Sequence, residues 1–227
     1  VKTAHNYRGS LFSSRSRARN AAFRIGKLAD GAIGKRTTAT ILARALNERG
    51  IKTILVGTGQ TGLIQGARYG IAVDAIPCQF CSGELESIIV KAFEDEQPDV
   101  IIIEGQGALS HPAYLTSTYI LRGSMANGVV LQHAPARTHL GDFPQIPMPT
   151  VASEINLIET FSPTRVIGLA INHENMTDDE VGAAVKTYEN ELGIPATDPL
   201  TRSPDQLVDL VVEAFPVLKE KLSACTI

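Results

Sequence analysis

The stretch DGAIGKRTTAT, residues 30–40, decides how the rest of the chain is read. A glycine-lysine pair with threonines behind it is how a phosphate cradle ends. There, backbone N–H groups and the positive end of a following helix face an anion. The ordinary form of the loop is G-x-x-x-x-G-K-[ST]. Here Ala29 stands in the first glycine's place, and Arg36 stands where a Ser or Thr follows the lysine. Upstream lies FRIGKLA (23–29). Downstream, RTTATILARALNERG (36–50) puts Ile41, Leu42, Ala45 and Leu46 on one helical face and ends at Gly50, a C-terminal cap. That setting predicts a phosphate-binding loop built from Asp30, Gly31, Gly34, Lys35, Arg36, Thr37 and Thr38.

Further out, short apolar runs rich in β-branched residues stand at 52–56 (KTILV), 99–103 (DVIII), 128–132 (GVVLQ) and 165–171 (RVIGLAI). Each predicts a buried strand. Helical patterns separate them. SGELESIIVKAFEDE (82–96) predicts a helix capped by Ser82. TDDEVGAAVKTYENELG (177–193) opens on Thr177 with Glu180 three later, a capping box, and closes at Gly193. SPDQLVDLVVEAFPVLKEKL (203–222) starts at Ser203–Pro204. Strands alternating with helices imply an α/β fold, a mostly parallel sheet with helices on both faces. No internal repeat is present.

Ligands of such sheets bind at the carboxyl ends of the strands. The segments expected there are GTGQTG (57–62), EGQGALSHPAY (104–114), HAPARTHLGDFP (133–144) and NHEN (172–175). Nearly all the unusual polar chemistry of the chain therefore falls on one rim. Glu104 ends a strand beside the loop, where P-loop proteins hold Mg²⁺ or its water. His133, Arg137, His139 and Asp142 crowd into ten positions. Arginine is suited to carboxylate or phosphate recognition, and histidine carries a proton near neutral pH. His133, His139 and Asp142 lack any usual metal-ligand spacing. CQFC (78–81) has no second pair to complete a zinc site, so it reads as two small residues near a helix start.

Composition bounds the rest. The 227 residues suit one large domain or a domain with a tail, and 44% hydrophobic residues suffice for a sizeable core. A net charge of −3 argues against a polyanion binder, so nucleic acid is not expected. Three cysteines fit a reducing, cytoplasmic setting. No apolar run approaches the roughly 20 residues of a membrane helix. Residues 1–24 are basic, with no Asp or Glu, and read as a basic arm or the remnant of a missing N-terminal domain. Residues 25–227 read as the α/β domain.

The order of loop, strand-end Glu and VIGLAIN resembles the dethiobiotin synthetase branch of P-loop proteins. Asp30, Gly34 and Lys35 match that branch's loop, and Glu104, Gly105 and Gly107 its strand end. Asn172 matches the residue that faces adenine there. The six motifs DGAIGKRTTA, GTGQTGLI, GIAVDAI, IEGQGALSHPAY, HAPARTH and INHENMTDDE together look more like a family catalogued as a P-loop domain of unknown function. Its characterised relatives are D-glutamate N-acetyltransferases. That resemblance implies a dethiobiotin synthetase-like P-loop architecture, usually preceded by a further α/β domain. It implies transfer of an acetyl group from acetyl-CoA to a D-amino acid, D-glutamate first. Glu104, His111 and His133 are then candidates for the base. Arg137, with Arg122 in reserve, would meet the substrate carboxylate beside Gln106 and His139. The loop and Asn172 would hold the CoA nucleotide, with no metal. The expected partners are a small molecule and further copies of the chain in a homo-oligomer. The alternatives are an ATP- and Mg²⁺-dependent ligase or kinase-like enzyme, or a non-catalytic nucleotide-binding domain.

Overall fold

The run VIII at residues 100–103 alternates its side chains between two helical layers, and that alternation organises the molecule. In the computed structural model, which describes residues 23–29 and 33–222, this run is strand β4 (Val100–Ile103). Val100 and Ile102 pack with Leu42, Leu46 and Leu207 on one side. Ile101 and Ile103 pack with Leu85, Ile89 and Phe93 on the other. All four are fully buried, each stabilising by about 1.5–3 kcal/mol relative to exposure.

Around β4 lie β1 (Phe23–Ala29), β2 (Thr53–Gly57), β3 (Tyr69–Gly70), β5 (Gly128–His133), β8 (Val166–Ile171) and β9 (Ala196–Thr197). They form a seven-stranded parallel sheet in the order β3-β2-β4-β1-β5-β8-β9. A small antiparallel hairpin pairs β6 (His139–Leu140) with β7 (Phe143–Pro147). Helices α1 (Lys35–Glu48) and α7 (Asp205–Ala214) cover one face of the sheet. On the other face lie α3 (Cys78–Glu96), α4 (Thr116–Ser124), α5 (Val151–Phe161) and α6 (Asp178–Leu192). The short α2 (Gln60–Ile64) follows β2. The α/β expectation therefore holds. Because β1 lies between β4 and β5, the chain leaves β1 toward one edge, returns beside it, and then builds outward on the other side. Such a reversal opens a crevice at the carboxyl ends of the central strands.

Local signals fared unevenly. Thr177 and Glu180 form the anticipated capping box, and Gly193 closes α6 in the left-handed region at φ 66°. Gly50, at φ 83°, follows α1. Ser82 does not start α3: the helix begins at Cys78, directly after Pro77, whose fixed φ suits a helix entry. The C-terminal helix is not continuous. Pro216 forces Phe215 out of helical conformation (φ −129°, ψ 77°), and a 3₁₀ turn (Pro216–Lys221) follows. Helices α4 and α5, the hairpin and the two-residue strands β3 and β9 were not anticipated. Strand β1 starts at Phe23, two residues inside the expected arm; the rest of that arm lies outside the described residues. Among the described residues no helix is long and apolar enough to cross a membrane.

Candidate active site

Gly34 turns the chain into α1 with φ 86° and ψ 17°, a left-handed conformation that glycine adopts without strain. A Cβ there would also stand 3.1 Å from Gln132 Nε2. Gln132, near the end of β5, donates to the Ile33 carbonyl and accepts from Thr38 Oγ1 (3.0 Å). The loop exit is thus pinned to the neighbouring strand. The first turn of α1 carries Lys35 and Arg36 and no acidic residue, so two cations reinforce the positive end of the helix. Thr37 is exposed, and the buried Thr38 hydroxyl is turned to Gln132 and the Gly34 carbonyl. Asp30 and Gly31 lie outside the described residues.

Glu104 follows β4 at the same edge and is 9% exposed. Thr58 donates its N–H to Glu104 Oε2 (3.2 Å) and its hydroxyl to the Glu104 carbonyl (3.0 Å). Gln106 Nε2 donates to Thr58 Oγ1 (3.0 Å). A Cβ on Gly62 would stand 2.8 Å from Glu104 Oε2, so this glycine of GTGQTG makes the room the carboxylate occupies. The segment after Glu104 is tied down by Ser117, which donates to the Gly107 carbonyl, and by buried Glu154, which accepts from the Leu109 N–H (3.0 Å).

These groups open into a cavity of about 1240 Å³. All four rim segments contribute to it, through Gly59–Thr61, Glu104–Gly107, Ala136–His139 with Gly141 and Asp142, and Glu174. Gly34, Lys35, Arg36, Glu104, Gln106, Arg137 and His139 line it. Arg137 is paired within the chain: its Nε (2.9 Å) and Nη2 (2.6 Å) both donate to Glu174 Oε2. The Tyr114 hydroxyl donates to Asp142 Oδ2 (2.8 Å) at another part of the lining.

Other anticipated residues lie elsewhere. His111 is 3% exposed and does not line the cavity. Its ring stacks on Tyr114 at 4.4 Å and meets Phe143 edge-on, and its Nδ1 accepts from the Ala113 N–H (3.2 Å). His133 ends β5 with its ring edge-on to Tyr188 of α6 at 5.6 Å. The Tyr188 phenol is held above its usual pKa by burial and, secondarily, by Glu191. Arg122 is exposed, with its guanidinium over the Phe161 ring at 4.7 Å. Asn172 is not in the lining either; its Oδ1 accepts from the Glu174 N–H (2.8 Å) and steadies the turn that presents Glu174. Beside it, His173 Nδ1 meets buried Asp198 Oδ2 at 2.5 Å.

Sequence reasoning missed Gln132, Thr58, Tyr114 and Glu174 as parts of this site. Gln132 had a readable signal, a polar residue closing a buried apolar strand. Glu174 had none beyond its place on the rim. Cys78 and Cys81 form the first turn of α3, one exposed and one buried. Among the described residues no three His, Cys, Asp or Glu side chains converge as a metal site.

A parallel sheet with a glycine-lysine turn into a helix, and a carboxylate closing the adjacent strand, defines a P-loop α/β domain. The chain belongs to the domain-of-unknown-function family DUF1611, whose C-terminal P-loop domain it matches over residues 23–208. It is 31% identical over 187 residues to a D-glutamate N-acetyltransferase of Tritonibacter scottomollicae, covering 79% of this chain and 55% of that protein. A DUF1611 family protein from Anabaena variabilis superposes with a TM-score of 0.81 at 31% identity, over 86% of this chain and 59% of that one. A nucleotide-binding protein from Archaeoglobus fulgidus, solved with ADP, shares the fold at a TM-score of 0.59 and 17% identity, over 90% and 91% of the two chains. The chain thus spans little more than half the length of the curated relative it matches.

Proposed function

We propose that this domain holds acetyl-CoA and moves its acetyl group to the amino group of a D-amino acid, with D-glutamate the first substrate to try. The observation that carries the reading is a single cavity lined by two loop cations, Lys35 and Arg36, by the carboxylate of Glu104, and by Arg137. The name of the relative from Tritonibacter supports it.

In this reading the start of α1 and Lys35 hold the diphosphate of CoA. Glu104 takes the proton that the amine loses as its nitrogen attacks the thioester carbon, and passes it to the sulfur as the C–S bond breaks. Backbone N–H groups of the Gly105–Gly107 segment meet the negative charge that develops on the carbonyl oxygen. Arg137 exchanges Glu174 for the carboxylate of the amino acid, a guanidinium trading one carboxylate for another.

Of the three candidate bases only Glu104 lines the cavity. His111 stacks behind Tyr114, which lines the cavity. The test is to mix full-length protein with acetyl-CoA and D-glutamate, and to follow free thiol and N-acetyl-D-glutamate by mass. Equal yields of both, with no nucleotide added, are expected. Product formation only with ATP, with ADP accumulating, would replace this reading by an ATP-dependent ligase.

A further inference from the structure

The P-loop fold implies a divalent cation, and the residues of this site do not fit one. P-loop proteins bind Mg²⁺ through the Ser or Thr directly after the loop lysine, helped by a strand-end carboxylate. Here that position is Arg36. Neither following threonine takes over: Thr37 is exposed and outside the cavity, and the Thr38 hydroxyl is committed to Gln132 and Gly34.

We propose that the guanidinium of Arg36 is a resident cation in the place of that metal, so that the site binds a diphosphate-bearing nucleotide without a divalent ion. Arg36 lines the cavity, and its Nη1 is buried with no hydrogen-bond partner. A buried charged donor left unsatisfied is costly, and the cost is recovered when an anion arrives. Its Nη2 and Glu104 Oε2 flank the same residue: a Cβ on Gly62 would meet them at 3.9 and 2.8 Å. The cation therefore sits on the side of the strand-end carboxylate, where the fold otherwise uses a metal. Arg36 makes no ion pair among the described residues, so its charge is available to a ligand. A planar fork matches two oxygens of a phosphate, Lys35 supplies a point charge beside it, and the start of α1 a third positive source. Three fixed positive sources suit a nucleoside diphosphate moiety, as in ADP or the nucleotide end of CoA. This inference rests on the reading of the loop as a phosphate site.

The test is calorimetric titration of ADP and of CoA into the full chain, with Mg²⁺ or with EDTA, for wild type, Arg36→Thr and Arg36→Lys. Thermal melts confirm that each variant is folded. Wild-type affinity is expected to be the same in both buffers. Arg36→Thr is expected to lose about tenfold or more in EDTA, as the loss of a charge-assisted hydrogen bond does. Arg36→Lys keeps the charge but not the fork, and is expected to fall between them and to remain indifferent to Mg²⁺. If wild type needs Mg²⁺ to bind, or if Arg36→Thr binds like wild type in EDTA, the resident-cation inference is overturned while the phosphate reading stands. If neither ligand binds wild type in either buffer, the phosphate reading falls and takes this inference with it.

Discussion

Arg137 and Glu174 join two strand-end loops across the cavity lining: the guanidinium donates from Nε and Nη2 to a single carboxylate oxygen, at 2.9 and 2.6 Å. Arg137 follows β5 and Glu174 follows β8. In the proposed reading a substrate carboxylate has to displace a partner already held, which favours a ligand that offers two oxygens to the fork. Arg137→Lys keeps the charge and loses that geometry. The Michaelis constant for the amino acid is expected to rise about tenfold or more, the value of one charge-assisted hydrogen bond, while that for acetyl-CoA stays nearly constant. Steady-state kinetics in both substrates checks this. Equal rises in the two constants would instead mean that the pair only holds the loops together.

Lys35→Ala removes a charge from the first turn of α1 without touching the core. Binding of CoA or ADP is expected to weaken by about 1–3 kcal/mol, with the thermal midpoint unchanged. Calorimetry and a melt on the same sample settle it; unaltered affinity would remove the loop from the binding site.

Glu104→Gln preserves the acceptor for the Thr58 N–H and abolishes the proposed base. Turnover is expected to fall roughly 10²–10⁴-fold, the usual contribution of general base catalysis, with ligand affinity nearly intact. His133→Ala is expected to lower the thermal midpoint more than turnover, because its ring packs on Tyr188. A His133 variant as inactive as the Glu104 variant would reassign the base.

Cys78 is exposed, whereas the buried Cys81 thiol lies within reach of the Val73, Ile76 and Pro77 carbonyls. Burial, followed by the neighbouring Cys78, raises the Cys81 pKa, so at a given pH less of it is the reactive thiolate. Alkylation of native protein followed by peptide mapping is expected to mark Cys78 before Cys81. Cys81 should react only at higher pH or after unfolding. Equal labelling rates would contradict the burial.

Gly168, inside β8, is covered by α7 so closely that a Cβ would lie 2.0 Å from Leu210 Cδ1 and 2.6 Å from its Cγ. Gly168→Ala is expected to cost about 1–3 kcal/mol of overpacking. For a domain of this size each kcal/mol lowers the thermal midpoint by about 2–4 °C. A calorimetric scan reads the shift; a more stable variant would mean that Leu210 can turn away.

Local chemistry was legible in the order of residues. The runs KTILV, DVIII, GVVLQ and RVIGLAI carry enough β-branched side chains to be buried strands wherever they end up. Thr177, Glu180 and Gly193 bound α6 through bonds within a few residues of each other. The loop at Gly34–Lys35 announces an anion site because a glycine turn and a helix start are contiguous in sequence. The same locality placed four polar segments on one rim, since all strands of a parallel sheet end on the same edge.

What only the tertiary structure decided is which rim residues face one another and which face away. The order β4-β1-β5 sets Gln132 against the loop exit, although 94 residues separate it from Thr38. The pairing of β5 with β8 lets Arg137 reach Glu174, 37 residues on. His133 was expected in the site from its place in the polar cluster on the rim, and Arg122 as a reserve for the substrate carboxylate, yet their positions turn them to Tyr188 and Phe161. The strands β3 and β9, two residues each, have no period to detect; they exist because β2 and β8 present unpaired edges to them. Composition and spacing specify elements through nearest-neighbour forces. The direction in which a side chain points is set by sheet order and helix packing, which are properties of the whole domain.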